Sequence, residues 1–383
     1  MTAGQVQYGP GGTQRPLGTA QTPMALHPPA ESDWARAVKL LDDAVVTEPG
    51  EICLACHVRP DADALGSMLA VAIALAGKQE AAGLPRKIAA SFGDEPFEVP
   101  AILRFLPGLD LLVEPAAIPA APQVMVTFDA ASVDRLGLLA GSAASAAELI
   151  VLDHHPSNTG FGHVRLIEPA AAATAVLAAE LIDRLGVELT ADIALCLYAG
   201  LVADTGSFKY EATTPAVHLL AARLIGAGVE PGVVARELWD RAPFAQLGLL
   251  SAALGRAELD QRACAGRGLV WTTVTRADRK QAGLGLDAAE SVIDLIRRTD
   301  EAEVAVVLKE ADSGEWQVSV RSKGNVDVSA ACAALGGGGH RAAAGFAGRG
   351  DAADVLARLT SQLADQAGSG GSRGVVPPGL AHG

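Results

Sequence analysis

The chain has 383 residues and a formal net charge of −14 at pH 7, from 30 basic and 44 acidic side chains. Half of its residues are hydrophobic and 19% are charged, which excludes a wholly disordered protein. The acidic balance makes the chain a poor candidate for binding long nucleic acids, which requires a basic surface. Five cysteines are too few for a disulfide framework in a chain of this length.

Two features of the sequence bear on location. No apolar run reaches the roughly 18 residues of a membrane-spanning helix, and the longest extends from Ile193 to Ala203. The N-terminal residues do not follow the pattern of a secretory signal, in which basic residues precede an apolar segment. We therefore expect a cytoplasmic protein without membrane contact.

Both ends of the chain have the composition of disordered tails. Residues 1–30 are rich in Gly and Pro, and residues 366–383 in Gly, Ser and Pro, so neither supplies the apolar surface of a core. Between the tails we predict a first domain over residues 31–228, a helical linker over residues 229–250 and a smaller second domain over residues 251–365.

The first domain alternates strands with helices. Apolar segments predict strands at residues 51–57, 87–91, 123–128 and 149–152. Helical patterns occupy residues 64–75, 174–185 and 191–203. This alternation indicates an α/β fold with a parallel sheet and right-handed crossovers. Ligands of such sheets bind at the carboxyl ends of the strands.

The second domain begins after a helical stretch at residues 233–254 that follows a Gly- and Pro-containing break. Its predicted strands lie at residues 269–275, 303–309 and 315–321. Its predicted helices lie at residues 288–298 and 328–335. We therefore expect a second, smaller α/β domain.

The densest group of reactive side chains follows the first predicted strand, in His57-Val-Arg-Pro-Asp61-Ala-Asp63. Two carboxylates this close repel each other unless a positive charge lies between them. An aspartate at the start of a helix, such as Asp63, is more often an N-cap than a metal ligand. The motif by itself therefore leaves both interpretations open.

Further carboxylates and imidazoles follow other predicted elements. Asp129 and the run Asp153-His154-His155 stand at the ends of two strands, and Asp204 ends a helix. A set of ligands that combines oxygen and imidazole without thiolate suits Mn²⁺ or a similar divalent cation better than a structural zinc. Since all these residues fall at one predicted rim, a metal site is favoured over chance surface positions.

Cys53-Leu-Ala-Cys56-His57 also matches the attachment motif for covalent haem. That chemistry requires an exported chain, and strand alternation places Cys53 and Cys56 on opposite faces. We therefore interpret the two cysteines as small buried hydrophobic residues.

The second domain contains Gly336-Gly-Gly-Gly-His340-Arg. Four glycines without Cβ atoms allow backbone N–H groups to approach an anion, with His340 projecting from an adjoining turn. Arg321 and Lys323 add positive charge that suits phosphate oxygens. A flexible loop with one capping glycine is the alternative, and it explains fewer of the glycines.

Taken together, these motifs resemble those of the DHH phosphoesterase family. The resemblance covers about residues 31–365, in the order His57-x-x-x-Asp61-x-Asp63, Asp129, Asp153-His154-His155 and Asp204-Thr-Gly. The glycine run with His340 resembles the signature of the family's C-terminal substrate domain. The compact two-domain layout is similar to the nanoRNase subgroup, whose members degrade very short oligoribonucleotides and dephosphorylate 3′-phosphoadenosine 5′-phosphate.

The resemblance implies two Mn²⁺ ions per chain, with Mg²⁺ or Co²⁺ as alternatives, in the cleft between the domains. It assigns one ion to His57, Asp61 and Asp129, and the other to Asp63, Asp129, His154 and Asp204. Asp129 then bridges the ions, as a pair of cations about 3.5 to 4 Å apart requires. His155 becomes a phosphate contact or proton donor, and Asp153 orients its neighbours.

The resemblance also implies which residues bind substrate, and it favours a homodimer. The implied substrate contacts are Arg135, Arg321, Gly337, Gly338, Gly339 and His340. The expected partners are small nucleotides and short oligoribonucleotides. The segment Ala172-Ala173-Thr174 departs from the family pattern because it offers fewer hydroxyl groups.

Four alternatives stay open. The chain could hydrolyse cyclic dinucleotides, or act as a single-strand exonuclease, which its acidity disfavours. It could be a pyrophosphatase, although the glycine and histidine signature is not expected there. It could also be a regulatory protein that binds nucleotides without turnover, which the complete set of metal-ligand candidates disfavours.

Overall fold

The computed structural model describes residues 28–46, 52–85 and 87–369. The predicted tails fall almost entirely outside these ranges. The described part of the chain forms two α/β units, each built around its own sheet. This confirms the predicted fold class.

The first sheet has five parallel strands in the order β2-β1-β3-β4-β5 within the described residues. They are β1 (Ile52–Cys56), β2 (Ile88–Phe92), β3 (Val124–Phe128), β4 (Glu148–Asp153) and β5 (Val164–Ile167). Four of them match predicted strands. The strand β5 was missed because it has only four residues and one of them, Arg165, is exposed.

Six helices accompany this sheet in the described residues, and the last two of them pack mainly on other helices rather than on its strands. They are α1 (Glu31–Val46), α2 (Ala62–Ala81), α3 (Ala140–Ser145), α4 (Thr174–Arg184), α5 (Ala191–Asp204) and α6 (Pro215–Gly226). Short 3₁₀ helices lie at Ala101–Leu103, Leu109–Leu111, Pro115–Ala117 and Val133–Leu139. Cys53 and Cys56 are both buried and belong to different core clusters on the two faces of β1, as the alternation predicted.

The single helix predicted over residues 233–254 is wrong. The chain instead forms α7 (Pro231–Leu238) and α8 (Ala245–Gly255), with a non-helical segment between them. Pro243 lies in this segment; it has no N–H group and disfavours a helical residue before it. The two helices occupy much of the predicted linker.

The second sheet has six strands in the order β10-β11-β9-β8-β7-β6 within the described residues. They are β6 (Glu258–Asp260), β7 (Leu269–Val274), β8 (Val304–Glu310), β9 (Trp316–Ser322), β10 (Gly338–His340) and β11 (Ala343–Gly348). β7 and β8 pair in parallel, and the other neighbouring strands pair antiparallel.

The helical segments of this unit cover the two faces of the second sheet. They are α9 (Ala263–Gly266), α10 (Arg276–Ala282), α11 (Ser291–Ile296), α12 (Val328–Ala333) and α13 (Ala352–Ser369), with a 3₁₀ turn at Asp287–Ala289. α13 extends to Ser369, so residues 366–369 are helical rather than part of a disordered tail.

Among the described residues, no single helix has the length and apolar composition to cross a membrane. α6 and α7 pass that test only as a pair, and the pair is bent by 105°.

Candidate active site

The site forms where three neighbouring strands of the first sheet end. His57 directly follows β1, Asp129 directly follows β3, and Asp153 is the last residue of β4. Cys56 pairs with Phe128, and Phe128 pairs with Leu152, so the three strands end level with each other. Parallel pairing therefore brings together side chains that lie nearly 100 residues apart in the sequence.

Two helices bring further carboxylates to the same edge. Asp61 is the N-cap of α2, where its side chain accepts the backbone N–H groups of Asp63 and Ala64. Asp204 is the last residue of α5. The start of α2 thus brings Asp61 Oδ2 to 3.8 Å from His57 Nε2, and Asp61, rather than Asp63, caps α2.

The first group of ligand atoms consists of His57, Asp61 and Asp129, whose atoms all lie within 4.8 Å of one another. The Nε2 atom of His57 lies 3.4 Å from Asp129 Oδ2 and 3.8 Å from Asp61 Oδ2. Its Nδ1 atom lies 2.9 Å from the Val58 carbonyl oxygen. A proton on Nδ1 then leaves the Nε2 lone pair facing the carboxylates.

The second group consists of Asp63, Asp129 and His154, with Asp204 beside it. The Nε2 atom of His154 lies 3.5 Å from Asp129 Oδ1 and 3.1 Å from Asp204 Oδ2. It lies 3.9 Å from Asp63 Oδ2. The Nδ1 atom faces the Ala171 carbonyl oxygen at 3.1 Å, so His154 presents Nε2 to the carboxylates as His57 does.

Asp63 has a second role that the sequence did not reveal. Its Oδ2 accepts the backbone N–H of Thr174 at 2.6 Å, and its Oδ1 accepts that of Ala175 at 2.9 Å. Both donors belong to the first turn of α4. Asp63 therefore caps α4, a helix 111 residues further along the chain, while it also faces the cluster.

Asp153 orients His155. The Nδ1 atom of His155 lies 2.7 Å from Asp153 Oδ1, and Asn158 donates to the other carboxylate oxygen at 2.6 Å. Asp153 is fully buried, so these bonds give partners to polar atoms that would otherwise be costly to bury. The arrangement turns Nε2 of His155 away from Asp153.

The second domain contributes His340 to the site. Its ring stacks on His155 with centroids 4.6 Å apart and lies 5.0 Å from the ring of His154. The three imidazoles have ligand atoms within 4.8 Å of one another. The site therefore lies between the two domains, as expected.

The turn expected around His340 is a strand. Gly338–His340 forms β10, and a Cβ on Gly339 would lie 2.5 Å from the Ala343 carbonyl oxygen of β11. A Cβ on Gly337 would lie 2.1 Å from the Gly345 carbonyl oxygen. Close strand packing therefore requires two of the glycines, whereas Gly338 has open space around a Cβ.

The three basic residues singled out in the sequence lie on different elements and differ in their contacts. Arg321 is on the cross-strand row that runs from His340 through Ala343, so it shares the sheet face of His340. Arg135 is exposed on the 3₁₀ helix Val133–Leu139, and its carbonyl oxygen accepts the N–H of Val58 next to His57. Lys323 instead donates to the Thr299 carbonyl oxygen at 2.6 Å.

Burial and neighbouring charges shift the pKa values of the carboxylates in the cluster. Burial raises the pKa of Asp63 well above its usual range, and Asp129 and Asp204 raise it further. Burial also raises the pKa of Asp204, against the opposite effect of His154. For Asp129, burial is outweighed by its imidazole neighbours, above all His57, and the pKa falls below its usual value.

The surroundings shift the pKa values of His57 and His340 in opposite directions. Burial disfavours the charged form of His57, but the carboxylates of Asp129 and Asp61 outweigh it and raise the pKa to about 10. Burial lowers the pKa of His340 to about 4, and His155 and His154 act in the same direction. His340 is therefore neutral at pH 7, whereas His57 carries charge when only carboxylates surround it.

The donor set fits divalent cations. Its carboxylate oxygens and imidazole nitrogens are the ligands that Mn²⁺ accepts. The Nε2 atom of His154 is buried and has no hydrogen-bond partner of acceptable geometry, although Asp204 lies close. A cation between these groups would satisfy that nitrogen and relieve the repulsion among the carboxylates.

Sequence reasoning missed several residues that support the cluster. The Thr174 hydroxyl donates to Asp129 Oδ1 at 2.8 Å, and the Ser67 hydroxyl donates to Asp63 Oδ1 at 3.2 Å. The signal for Ser67 was its position one turn after Asp63 on α2. The contact of Thr174 depends on how α4 packs, and the local sequence does not report that.

Comparison with known proteins gives the same pattern of two domains. Residues 51–201 match the N-terminal domain of the DHH family, and residues 272–367 match the DHHA1 domain. The bifunctional oligoribonuclease and PAP phosphatase NrnA of Thermus thermophilus is 34% identical to the chain over 317 residues, which are 82% of this chain and 88% of the relative. A probable enzyme of the same name from Streptococcus mutans is 24% identical, over 76% of this chain and 86% of the relative.

The fold has counterparts among solved structures. An exopolyphosphatase-related protein from Bacteroides fragilis matches with a TM-score of 0.76 at 20% identity, over 88% of this chain and 97% of that chain. At this identity the likeness shows the fold alone. With both domains matched and a relative 34% identical over most of its length, the chain belongs to the DHH family of phosphoesterases.

Proposed function

We propose that the chain hydrolyses short oligoribonucleotides, including linear di-adenylate, to mononucleotides and converts 3′-phosphoadenosine 5′-phosphate to AMP. The observation that carries the proposal is the position of Asp129, whose Oδ2 faces His57 and whose Oδ1 faces His154. One carboxylate thus serves two groups of ligand atoms, as a two-metal phosphoesterase needs. The names of the Thermus and Streptococcus relatives support the choice of substrates.

In this proposal, two Mn²⁺ ions bind per chain. His57, Asp61 and Asp129 hold one ion, and Asp63, Asp129, His154 and Asp204 hold the other. Mg²⁺ and Co²⁺ are the alternatives. Such ions, when bound, stabilise negative charge on the phosphoryl oxygens and lower the pKa of water.

The chain's own residues supply proton transfer and orientation. In its charged form, His155 donates a proton from Nε2 to the leaving oxygen, while Nδ1 donates to Asp153, whose carboxylate raises the pKa of the ring against the effect of burial. The stacked ring of His340 limits how His155 can rotate. Neutral His340 donates a hydrogen bond to the substrate without adding a charge beside His155.

Substrate size follows from the two-domain layout. The first domain binds the phosphate that is cleaved, and Arg135 lies at its rim. The second domain binds the remaining nucleotide through Arg321, His340 and the glycines 337–339. A longer strand gains little affinity from such a site, because a chain with a net charge of −14 repels phosphates beyond the cleft. The cytoplasmic location and the homodimer stay predictions.

The test is to incubate the purified protein with Mn²⁺ and, separately, 3′-phosphoadenosine 5′-phosphate, di-adenylate and a long single strand. We expect orthophosphate from the first substrate and mononucleotide from the second. Asp129→Asn should reduce both rates at least about 10³-fold. Asp134→Asn is the matched control, because this exposed aspartate lies nearby on a 3₁₀ helix. Hydrolysis of the long strand alone would contradict the proposal.

A further inference from the structure

A hydrogen bond joins the two domains beside the site. Nη1 of Arg297, directly after α11 in the second domain, donates to the hydroxyl of Tyr210 in the first domain at 2.9 Å. The guanidinium carbon lies 5.3 Å from the centroid of the Tyr210 ring, within the range of a cation–π interaction. This contact is separate from the histidine stack through which the domains also meet.

Tyr210 is attached closely to the residues that follow Asp204. Gly206 has a φ of +56°, and a Cβ at this position would lie 2.3 Å from Cζ of Tyr210. The ring therefore rests directly on the backbone of Gly206, where only glycine leaves room for it. The ring thus contacts a residue that lies only two positions after the end of α5.

The turn that carries Tyr210 is firmly held. The N–H of Tyr210 donates to the Thr205 carbonyl oxygen at 3.0 Å, and the N–H of Ser207 donates to that of Val202 at 2.8 Å. Ser207 and Phe208 have φ values of 59° and 62°. Non-glycine residues keep such conformations only where their surroundings enforce them. These hydrogen bonds hold Tyr210 close to the C-terminal end of α5.

We propose that Tyr210 and Arg297 form a latch that holds the second domain closed over a bound substrate. Both are positioning residues, since they touch each other and not the reacting atoms. The latch rests on the proposed function, because only a substrate that contacts both domains benefits from their closure. When the latch opens, His340 and Arg321 move away from the first domain and the product leaves.

Three variants test the latch. Tyr210→Phe removes the hydroxyl and keeps the ring on Gly206, whereas Arg297→Gln replaces the charged guanidinium, with its donor Nη1, by a neutral and shorter amide. Arg298→Gln is the matched control, because Arg298 is the next residue, is exposed and does not contact Tyr210 in any described hydrogen bond. We expect either latch variant to raise KM for di-adenylate about fivefold, as the loss of one hydrogen bond predicts, with less than about a twofold change in kcat.

The double variant Tyr210→Phe/Arg297→Gln should raise KM no further than Arg297→Gln alone, because Arg297→Gln already removes both the hydrogen bond and the cation–π contact. Small-angle X-ray scattering of the full chain without substrate should show a larger radius of gyration for the latch variants than for the wild type and Arg298→Gln. Scattering and KM values equal to those of the wild type would overturn the latch.

The two proposals fail in different ways. Scattering does not depend on turnover, so it decides the latch even if none of the nucleotides is hydrolysed. If the nucleotides are hydrolysed and KM rises additively in the double variant, the two residues act separately and the latch is wrong.

Discussion

Asp129 shows how much of this site depends on one residue. It follows β3, has a φ of +56° and is almost fully buried. This conformation is uncommon outside glycine, and it persists at functional sites where the surrounding structure enforces it. Its two oxygens face different imidazoles, and its Oδ1 also accepts the Thr174 hydroxyl.

Thr174 offers a test at this scale. Thr174→Val keeps the shape of the side chain but removes the hydroxyl that donates to Asp129 Oδ1. We expect the affinity for Mn²⁺ to fall about 10- to 100-fold, the range typical when a residue that orients a ligand is lost. Titration calorimetry with Mn²⁺ measures this directly.

Thr174→Ser is the control, because it retains the hydroxyl and should bind Mn²⁺ with an affinity close to that of the wild type. Unchanged Mn²⁺ affinity in Thr174→Val would show that Asp129 does not need this bond.

Between elements, the packing of α2 on α5 places the carboxylates relative to each other. α2 starts at the N-cap Asp61, and α5 ends at Asp204. A Cβ on Gly66 would lie 2.4 Å from the Cys196 carbonyl oxygen, and one on Gly200 would lie 2.7 Å from Asp63 Oδ1. The two helices therefore approach each other closely at one glycine of each helix.

A pair of glycine substitutions in α2 tests this packing. Gly66→Ala should lower the free energy of unfolding by about 1–3 kcal/mol, because the methyl group forces the helices apart. It should also reduce activity, since Asp204 moves away from Asp63. Gly77 lies in the same helix and has open space where a Cβ would be. Gly77→Ala should therefore raise the free energy of unfolding by about 0.5–1 kcal/mol, because alanine favours the helix more than glycine does. Urea denaturation measures both changes, and equal effects of the two variants would contradict the close approach.

For the whole molecule, the candidate ligands are spread from residue 57 to residue 204 and meet only in the folded chain. A cation that binds them therefore binds the native state and not the unfolded chain. This linkage stabilises the fold by about 2.7 kcal/mol when the ligand is at 100 times its dissociation constant.

Metal addition and removal should therefore change the thermal stability of the whole molecule. We expect Mn²⁺ to raise Tm by about 3–5 °C and a chelator to reverse the change. Differential scanning fluorimetry measures the shift, which should be absent in Asp129→Asn and present in Asp134→Asn. A shift of the same size in Asp129→Asn would show that Mn²⁺ binds elsewhere.

The α/β class and most strands of the first sheet could be predicted because their signals are local. The apolar segments before His57 and Asp129 are short enough to be buried strands, and each ends in a polar residue. The break at Pro243 was equally local, and it was overlooked in an apolar stretch that otherwise suits a helix. The strand β10 could not be predicted in this way, because glycines carry no strand preference and their pairing depends on β11.

The sequence by itself determined which residues could take part in the chemistry and that they stand at the ends of strands and helices. The tertiary structure alone decided which contacts each of these side chains makes. It placed Asp63 at the start of α4, turned the two oxygens of Asp129 toward different imidazoles and brought His340 onto His155. These contacts join residues far apart in the chain, and only the packing of whole elements sets such distances, since no local preference encodes them.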